Sequence, residues 1–575
     1  MADKKKYKIK SVHPHVLPNL EDWPVFKLSE ERKDFIQDLV EETVEDLMDR
    51  PDDRVTNIIS QTMYKEKIRI KEEPWKVDPP KEKQFWARIG KSLVTNSLDQ
   101  PDETARPNNQ ELLQKIIRRY AEEIVGTFRI PTFLFARRFL TFFFNRLLQA
   151  KQRGFFRLGG SRKRLYEKIS VVGDVETVQS LFRHGTVVVV PTHHSNLDSI
   201  MIGYALDAIV GLPSFSYGAG LNLYNTGYTA YFMNRIGAYR VDRRKKNSIY
   251  LRTLKMMSKL SIERGVNNLF FPGGTRSRSG SLETKLKLGL LHTAVQAQQS
   301  IFEKGQDTKV FVVPLVLSYH FVLEGPQLIE QHLRLSGKER YIKARDNSYK
   351  PLKIFKFLWQ VLAEGNEIKL SIGQPLDVMG NHVDKEGNSF DQFGNQIKVK
   401  EYFMRDGVVT KDKQRESQYT SSLGDAVVER YHKDNLVLSS HLVAFAAFNL
   451  LKLENKKLDL YGLLRLPNDD YIFDRLMLNK IVEQLLVQLR TMEKEGNIRL
   501  SEILREKDVE SIILDGLAHL GTFHVKKPLK VNRKKEIISE NFRLLYFYHN
   551  RLENYKLDQV ISLNTAPKNI IGSEV

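Results

Sequence analysis

Hydrophobic positions along this chain change their period twice. In the first part, Phe35, Ile36, Leu39, Val40, Val44, Leu47 and Met48 recur at helical spacing, and Leu112 to Val125 does the same, which predicts amphipathic helices. Between them, Glu72 to Pro107 is rich in prolines and charges and reads as a connecting loop. From about 165 to 380 short apolar runs alternate with helical patterns, which predicts an α/β fold with a central, mostly parallel sheet and flanking helices. Its last strand is Glu367 to Ile372, closing at Gly373-Gln374-Pro375-Leu376. Residues 381–420 are polar and punctuated by glycine and read as a solvated insertion or linker, after which helical spacing returns. The expected division is therefore a helical region 1–160, an α/β domain 161–380, the insertion 381–420 and a helical region 421–575. No internal repeat is evident.

Two apolar stretches fall short of the roughly 20 uninterrupted residues that span a bilayer. Ile130 to Leu148 carries Phe133, Phe135, Phe139, Phe142, Phe143 and Phe144 but is crossed by Arg137, Arg138 and Arg146. It reads either as a helix lying in a membrane interface or as a core helix against the α/β domain. His441 to Leu451 is shorter and reads as a buried helix.

Candidate chemistry begins where the strand Thr186-Val187-Val188-Val189-Val190-Pro191 ends, at His193-His194-Ser195-Asn196-Leu197-Asp198. Strong strand formers followed by Pro and polar residues place His193 in a turn at the strand's carboxyl end. Leu197 to Val210 reads as a helix, so Asp198 falls in its first turn, within reach of one ring nitrogen of His193. A neutral imidazole in that position takes the proton of an attacking alcohol, and the aspartate fixes its tautomer and stabilises the imidazolium. Alone, this spacing is a weak signal; a surface histidine beside a helix-capping aspartate fits it equally well.

Three later blocks repeat the form of a strand running into a polar loop. Gly237 to Arg244 is a short strand ending in Arg243-Arg244. Asn268-Leu269-Phe270-Phe271 opens into Pro272-Gly273-Gly274-Thr275-Arg276-Ser277-Arg278-Ser279-Gly280, where glycines admit an anion close to the backbone and arginines offer forks for phosphate oxygens. Val310 to Leu317 is a buried strand broken by Pro314.

In order and spacing these blocks resemble the glycerophospholipid acyltransferases. His193 and Asp198 match the family's H-x4-D, Arg243 its phosphate-binding arginine, and Arg276, Ser277 and Arg278 its substrate-binding loop; Val313 and Pro314 match the fourth block. Gly218 to Leu223, Lys287-Leu288-Gly289 and Leu545 to Arg551 are similar to segments of the larger, glycerol-3-phosphate type. The resemblance covers most of the chain, with sharp motifs only in its middle third.

The resemblance implies a glycerolipid acyltransferase core that moves a fatty acyl group from acyl-CoA or acyl carrier protein to the sn-1 hydroxyl of glycerol 3-phosphate. The general base is His193, oriented by Asp198. The phosphate is held by Arg243, Arg276, Arg278 and Lys287, and the pocket is shaped by Gly273, Gly274, Thr275, Ser277 and Pro314. This chemistry needs no metal and no redox cofactor. Two residues depart from the family pattern. Gly273 stands where the family has glutamate, and His194 where the glycerol-3-phosphate enzymes usually have arginine. A shifted acceptor, a substitute carboxylate from elsewhere or a weakened enzyme are the readings that Gly273 leaves open.

Charge adds a partner class. Ninety basic residues against 70 acidic give a net charge of +20, which favours polyanions. Local runs lie at Arg162-Lys163-Arg164, Arg243 to Lys246 and Arg533-Lys534-Lys535. No helix-turn-helix, zinc finger or RNA-binding motif accompanies them, so nucleic acid is not the expected partner. An anionic membrane surface is, with the protein peripheral on its cytoplasmic face. Cysteine is absent, which excludes disulfides, thiolate metal sites and a cysteine acyl-enzyme. There is no G-x-S-x-G elbow for a serine acyl-enzyme, and the charged Met1 to Lys6 does not read as a signal peptide. Asp384 to Asn395 is only superficially like a calcium loop, because Ser389 occupies the position that needs glycine. Lysophosphatidate acylation at sn-2 is the alternative within the class, and a catalytically weakened membrane-binding protein of the same fold is the alternative outside it.

Overall fold

The computed structural model describes residues 9, 11–75, 78–98, 105–149, 169–224, 227–336 and 368–562. The basic run Arg162 to Arg164 and the expected boundary near 160 lie outside them. A seven-stranded sheet organises the centre: β1 (Ile169–Gly173), β2 (Gly185–Pro191), β3 (Ser216–Gly220), β4 (Ala238–Val241), β5 (Asn268–Leu269), β6 (Lys309–Tyr319) and β7 (Ile368–Ile372), in the spatial order β1-β7-β6-β2-β5-β3-β4. All neighbouring pairs are parallel except β6 with β7. Strands β2 to β6 therefore present their carboxyl ends to one edge, where open α/β sheets hold their ligands.

The valine run of β2 explains why the sheet is covered on both faces. Val187 and Val189 enter one core, with the helix that starts at Asp198 and the C-terminal helices; Val188 and Val190 enter the other, with the helix Leu288–Glu303. A strand buried on both sides is a continuous apolar run rather than an alternating one.

The N-terminal region is helical as expected, with helices Arg32–Met48, Asp52–Glu72, Ala105–Ile124 and Ile130–Gln149. The loop expected from Glu72 to Pro107 is instead interrupted by the helix Glu82–Leu98. Trp86, Ile89 and Leu93 form its buried stripe, and Trp86 packs against Tyr120 with ring centroids 6.2 Å apart. Charges on its outer face masked this stripe, while the prolines sit on either side of it or at the start of the next helix. The helix Ile130–Gln149 packs one face against the α/β domain and leaves aromatic side chains exposed on another. Arg137 pairs with Asp207 and Thr141 bonds the Tyr204 hydroxyl at 3.0 Å, whereas Phe135, Phe139 and Phe142 remain 58, 40 and 61% exposed.

Residues 381–420 are largely solvent-exposed, but they are folded into turns and short strands. Val383, Val399 and Phe403 are buried, and the segment opens with a meander of β8 (His382–Val383), β9 (Ser389–Phe390) and β10 (Gln396–Ile397). The meander follows a repeat that sequence reading missed, Asp-x-x-Gly-Asn at Asp377–Asn381, Asp384–Asn388 and Asp391–Asn395. In each turn the Asp carboxylate accepts from backbone amides two and four residues on and from the Asn side chain. Those bonds are how an aspartate shapes its own turn. Helix Lys413–Lys433 follows and packs on Leu288–Glu303, and helix Ser439–Glu454 is buried from Ser439 to Leu451. That burial matches the expectation for His441 to Leu451.

Candidate active site

At the carboxyl end of β2, Pro191 ends the strand and His193 begins the turn that leads into the helix at Asp198. Asp198 Oδ2 lies 2.8 Å from His193 Nδ1 and also accepts the backbone N–H groups of His194 at 2.7 Å and Ser195 at 2.9 Å. Its Oδ1 accepts from the Tyr319 hydroxyl at 2.7 Å. The carboxylate is fully buried, yet four donors converge on it, which is what a buried charge needs. With Nδ1 engaged, Nε2 is the ring nitrogen left for the cavity that His193 lines. Phe271 holds the ring flat, stacked at a centroid distance of 4.2 Å.

The cavity measures about 390 Å³ and is floored by the strand ends. Arg243, Arg276, Arg278 and Thr275 line it together with His193. Of the sequence candidates, these are the ones brought together around it. Arg276 is already paired, with Glu324 at 3.4 Å; Glu324 in turn accepts from the Asn196 N–H at 3.0 Å and the Ser195 hydroxyl at 3.1 Å. Burial raises the Glu324 pKa, opposed by Arg276.

The remaining candidates shape the loop and stand back from the cavity. The Ser277 N–H donates to the His193 carbonyl at 2.7 Å and its hydroxyl to the Ser281 carbonyl at 2.8 Å. Lys287 is exposed, its aliphatic chain against Gly274, and its N–H closes the loop onto the Pro272 carbonyl at 2.8 Å. Gly273 lies against Glu283, and Pro314 is buried in β6, its carbonyl accepting from the Gly373 N–H at 2.8 Å.

Arg243 and Arg244 have separate roles. Both line the cavity, but Arg243 is exposed, whereas Arg244 is half-buried and clamped by Asp242 at 2.7 Å, by Asp78 and by the Glu73 carbonyl at 2.7 Å. These partners raise the Arg244 pKa despite its burial. Asp78 also receives Arg69 at 3.0 Å and holds the Trp75 N–H at 2.9 Å. The N-terminal helices thereby place the Trp75 ring on the cavity wall.

The C-terminal segment Leu545 to Arg551 reaches the back of the site. Arg551 is buried; it donates to Asn435 Oδ1 at 2.9 Å, the Leu317 carbonyl at 2.8 Å and the Ser318 hydroxyl at 3.1 Å, and it meets His194 Nε2 at 2.8 Å. Burial brings its pKa down to about 10 and, together with the Arg551 charge, drives that of His194 well below the usual imidazole value. His194 is therefore neutral, with Nε2 as acceptor. Gly280 permits the close approach behind this contact: at φ +89°, a Cβ there would sit 2.1 Å from the Phe547 carbonyl oxygen.

Sequence reading did not find Trp75, Glu283, Tyr319, Glu324 or Arg551. Tyr319 and Arg551 stood in or beside segments already singled out, and Glu283 closes the Gly and Arg loop. Nothing local marks Trp75 or Glu324, which arrive from other elements. Among the described residues no group of three or more His, Asp or Glu side chains is placed to hold a metal ion.

The strand-end His/Asp pair and the arginines of the cavity lie within residues 171–318, which match the sequence model of the Acyltransferase family. That segment therefore belongs to the Acyltransferase family. Within it, the similarity is to glycerol-3-phosphate acyltransferases. The chain is 25% identical over 285 residues to that of Pseudomonas aeruginosa (strain UCBPP-PA14), a match covering 49% of this chain and 30% of the relative. With that of Pseudomonas fluorescens (strain Pf0-1) it shares 24% over 372 residues, 63% of this chain and 39% of the relative. With that of Aeromonas hydrophila it shares 31% over 187 residues, 32% and 22% respectively. The matches thus span between about a fifth and two fifths of the length of these relatives.

Proposed function

We propose that this protein transfers a fatty acyl group from an acyl thioester, acyl-CoA or acyl carrier protein, to the sn-1 hydroxyl of glycerol 3-phosphate. The observation that carries the reading is the His193–Asp198 pair, 2.8 Å apart, opening on a cavity lined by Arg243, Arg276 and Arg278. His193 Nε2 takes the acceptor's hydroxyl proton as the oxygen attacks the thioester carbonyl, and Asp198 stabilises the imidazolium. Collapse of the tetrahedral adduct expels the thiolate, which recovers the proton from His193, so no net proton is gained or lost. The arginines hold the acceptor phosphate by charge-assisted hydrogen bonds, and the reaction as written uses no metal or redox cofactor.

Association with the surface of an anionic membrane, on its cytoplasmic face, belongs to the same proposal. Phe135, Phe139 and Phe142 form an exposed aromatic face, continued by Phe232 stacked on Phe135 at 5.8 Å and by Tyr228 and Tyr231. Arg138 and Arg235 border it, the mixture that suits an interface of acyl chains and anionic headgroups. No helix among the described residues is long and apolar enough to cross a membrane.

The test is thiol release from palmitoyl-CoA or acyl carrier protein in the presence of anionic vesicles, comparing glycerol 3-phosphate with lysophosphatidate. Turnover that requires glycerol 3-phosphate and vanishes in His193→Ala supports the reading. Turnover only with lysophosphatidate moves the acceptor to the sn-2 reaction, and none with either donor sinks it.

A further inference from the structure

Glu283 takes no part in the mechanism above, yet its carboxylate is buried directly behind the general base. Oε1 accepts the His193 backbone N–H at 3.1 Å, and the Ser277 N–H from the same loop donates to the His193 carbonyl at 2.7 Å. Both main-chain polar groups of His193 are thus held by the segment from Gly273 to Glu283. Glu283 Oε2 is buried with no hydrogen-bond partner among the described residues. Such a group is costly to keep, and the cost points to a use. Burial pushes the Glu283 pKa up to about 7, opposed by the His193 N–H and by the Arg551 charge.

Gly273 accounts for how the carboxylate gets there. Its backbone is not in the left-handed region, so conformation does not demand glycine at this position. Space is tight: a Cβ on residue 273 would lie 3.1 Å from Glu283 Oε1, 3.2 Å from its Cγ and 3.6 Å from its Cδ, so the Glu283 side chain would have to shift to admit it. Any side chain at 273 competes with Glu283 for one place.

We infer that Glu283 is the positioning residue of the general base, entering through the space left open at Gly273 and fixing the main chain of His193 so that its ring stays aligned with Asp198 and the acceptor hydroxyl. The inference rests on the acyltransferase reading for its kinetic consequences but not for its structural ones. Misplacing a base by about 1 Å costs on the order of 10²-fold in rate, so loss of this anchor acts on kcat and leaves phosphate binding at the arginines intact.

The experiment compares Glu283→Gln, which keeps an acceptor oxygen, with Glu283→Met, which keeps the volume without one. Gly273→Glu is added to the wild type and to Glu283→Ala. Glu283→Met is expected to lower kcat by roughly 10- to 100-fold with KM for glycerol 3-phosphate nearly unchanged and faster amide exchange at His193, and Gln to stay within a few-fold of wild type. Gly273→Glu should harm the wild type but raise the rate of Glu283→Ala. Wild-type kinetics in the Met variant, equal losses for Gln and Met, or a Gly273→Glu effect of the same sign in both backgrounds would overturn the inference. If the wild type shows no turnover at all, the acyltransferase reading fails, and exchange at the His193 amide alone decides: slow in wild type and fast in Met upholds the anchor, equal rates remove it.

Discussion

Replacing Asp198 separates the charge of this carboxylate from its hydrogen bonds. In Asp198→Asn the amide oxygen can take the position of Oδ2 and keep the three donors gathered there, His193 Nδ1–H and the N–H groups of His194 and Ser195. The amide NH2 then faces the Tyr319 oxygen, 2.7 Å from Oδ1 in the wild type, and that hydroxyl can turn to accept. Geometry survives, and each bond loses its charge assistance, about 1 kcal/mol, partly offset because a neutral amide is cheaper to bury; a net loss of ~1 to 2 kcal/mol is expected. Asp198→Ala instead strands four buried donors at ~1 to 3 kcal/mol each, a loss of about 4 kcal/mol or more. Catalysis reverses the emphasis. An imidazolium and a carboxylate roughly 4 Å apart attract by about 4 kcal/mol at an effective dielectric of ~20, so Asp198→Asn should lower kcat by about 10³-fold. Urea denaturation gives the stabilities, and thiol release at saturating acceptor gives kcat. A kcat within tenfold of wild type, or equal stability losses for Asn and Ala, would refute the assignment.

The two adjacent arginines should behave oppositely: Arg243→Ala raises KM for the phosphorylated acceptor by tenfold or more with little change in melting temperature, whereas Arg244→Ala lowers the melting temperature, because Asp242 and Asp78 lose their shared partner. Arg551→Met strands the acceptors at His194, Asn435 and Leu317 and relieves one buried charge; a net loss of ~2 to 4 kcal/mol is expected, and an unchanged urea midpoint would contradict it. The Glu283 carboxyl is raised to about 7 in the folded protein. Its protonated form is therefore favoured by folding, and its contribution is fully present below the unfolded value and lost as pH rises through about 7. Wild type should lose stability relative to Glu283→Gln between about pH 4.5 and 7, by at most ~3 kcal/mol; parallel pH profiles would remove the buried carboxylate from the account.

Local sequence determined the strands and turns that carry the chemistry. The valine run of β2, ended by Pro191, reads as a strand with His193 at its end, and the spacing puts Asp198, five residues on, within reach of it. Parallel strands place their carboxyl ends on one edge, so Arg243, Arg276 and Arg278 follow His193 there from separate blocks. Where pattern misled, the physical signal was weak or of the wrong length. The stripe Trp86, Ile89, Leu93 is thin and flanked by prolines, and the Asp-x-x-Gly-Asn turns repeat too tightly for apolar periodicity to register. Tertiary structure alone decided which of two adjacent arginines is clamped, because Asp78 comes from a loop far away in sequence. It alone brought Arg551 behind His194, and it alone filled the space at Gly273 with Glu283. Such choices depend on which side chains share a volume, and a chain reports only its neighbours along the backbone.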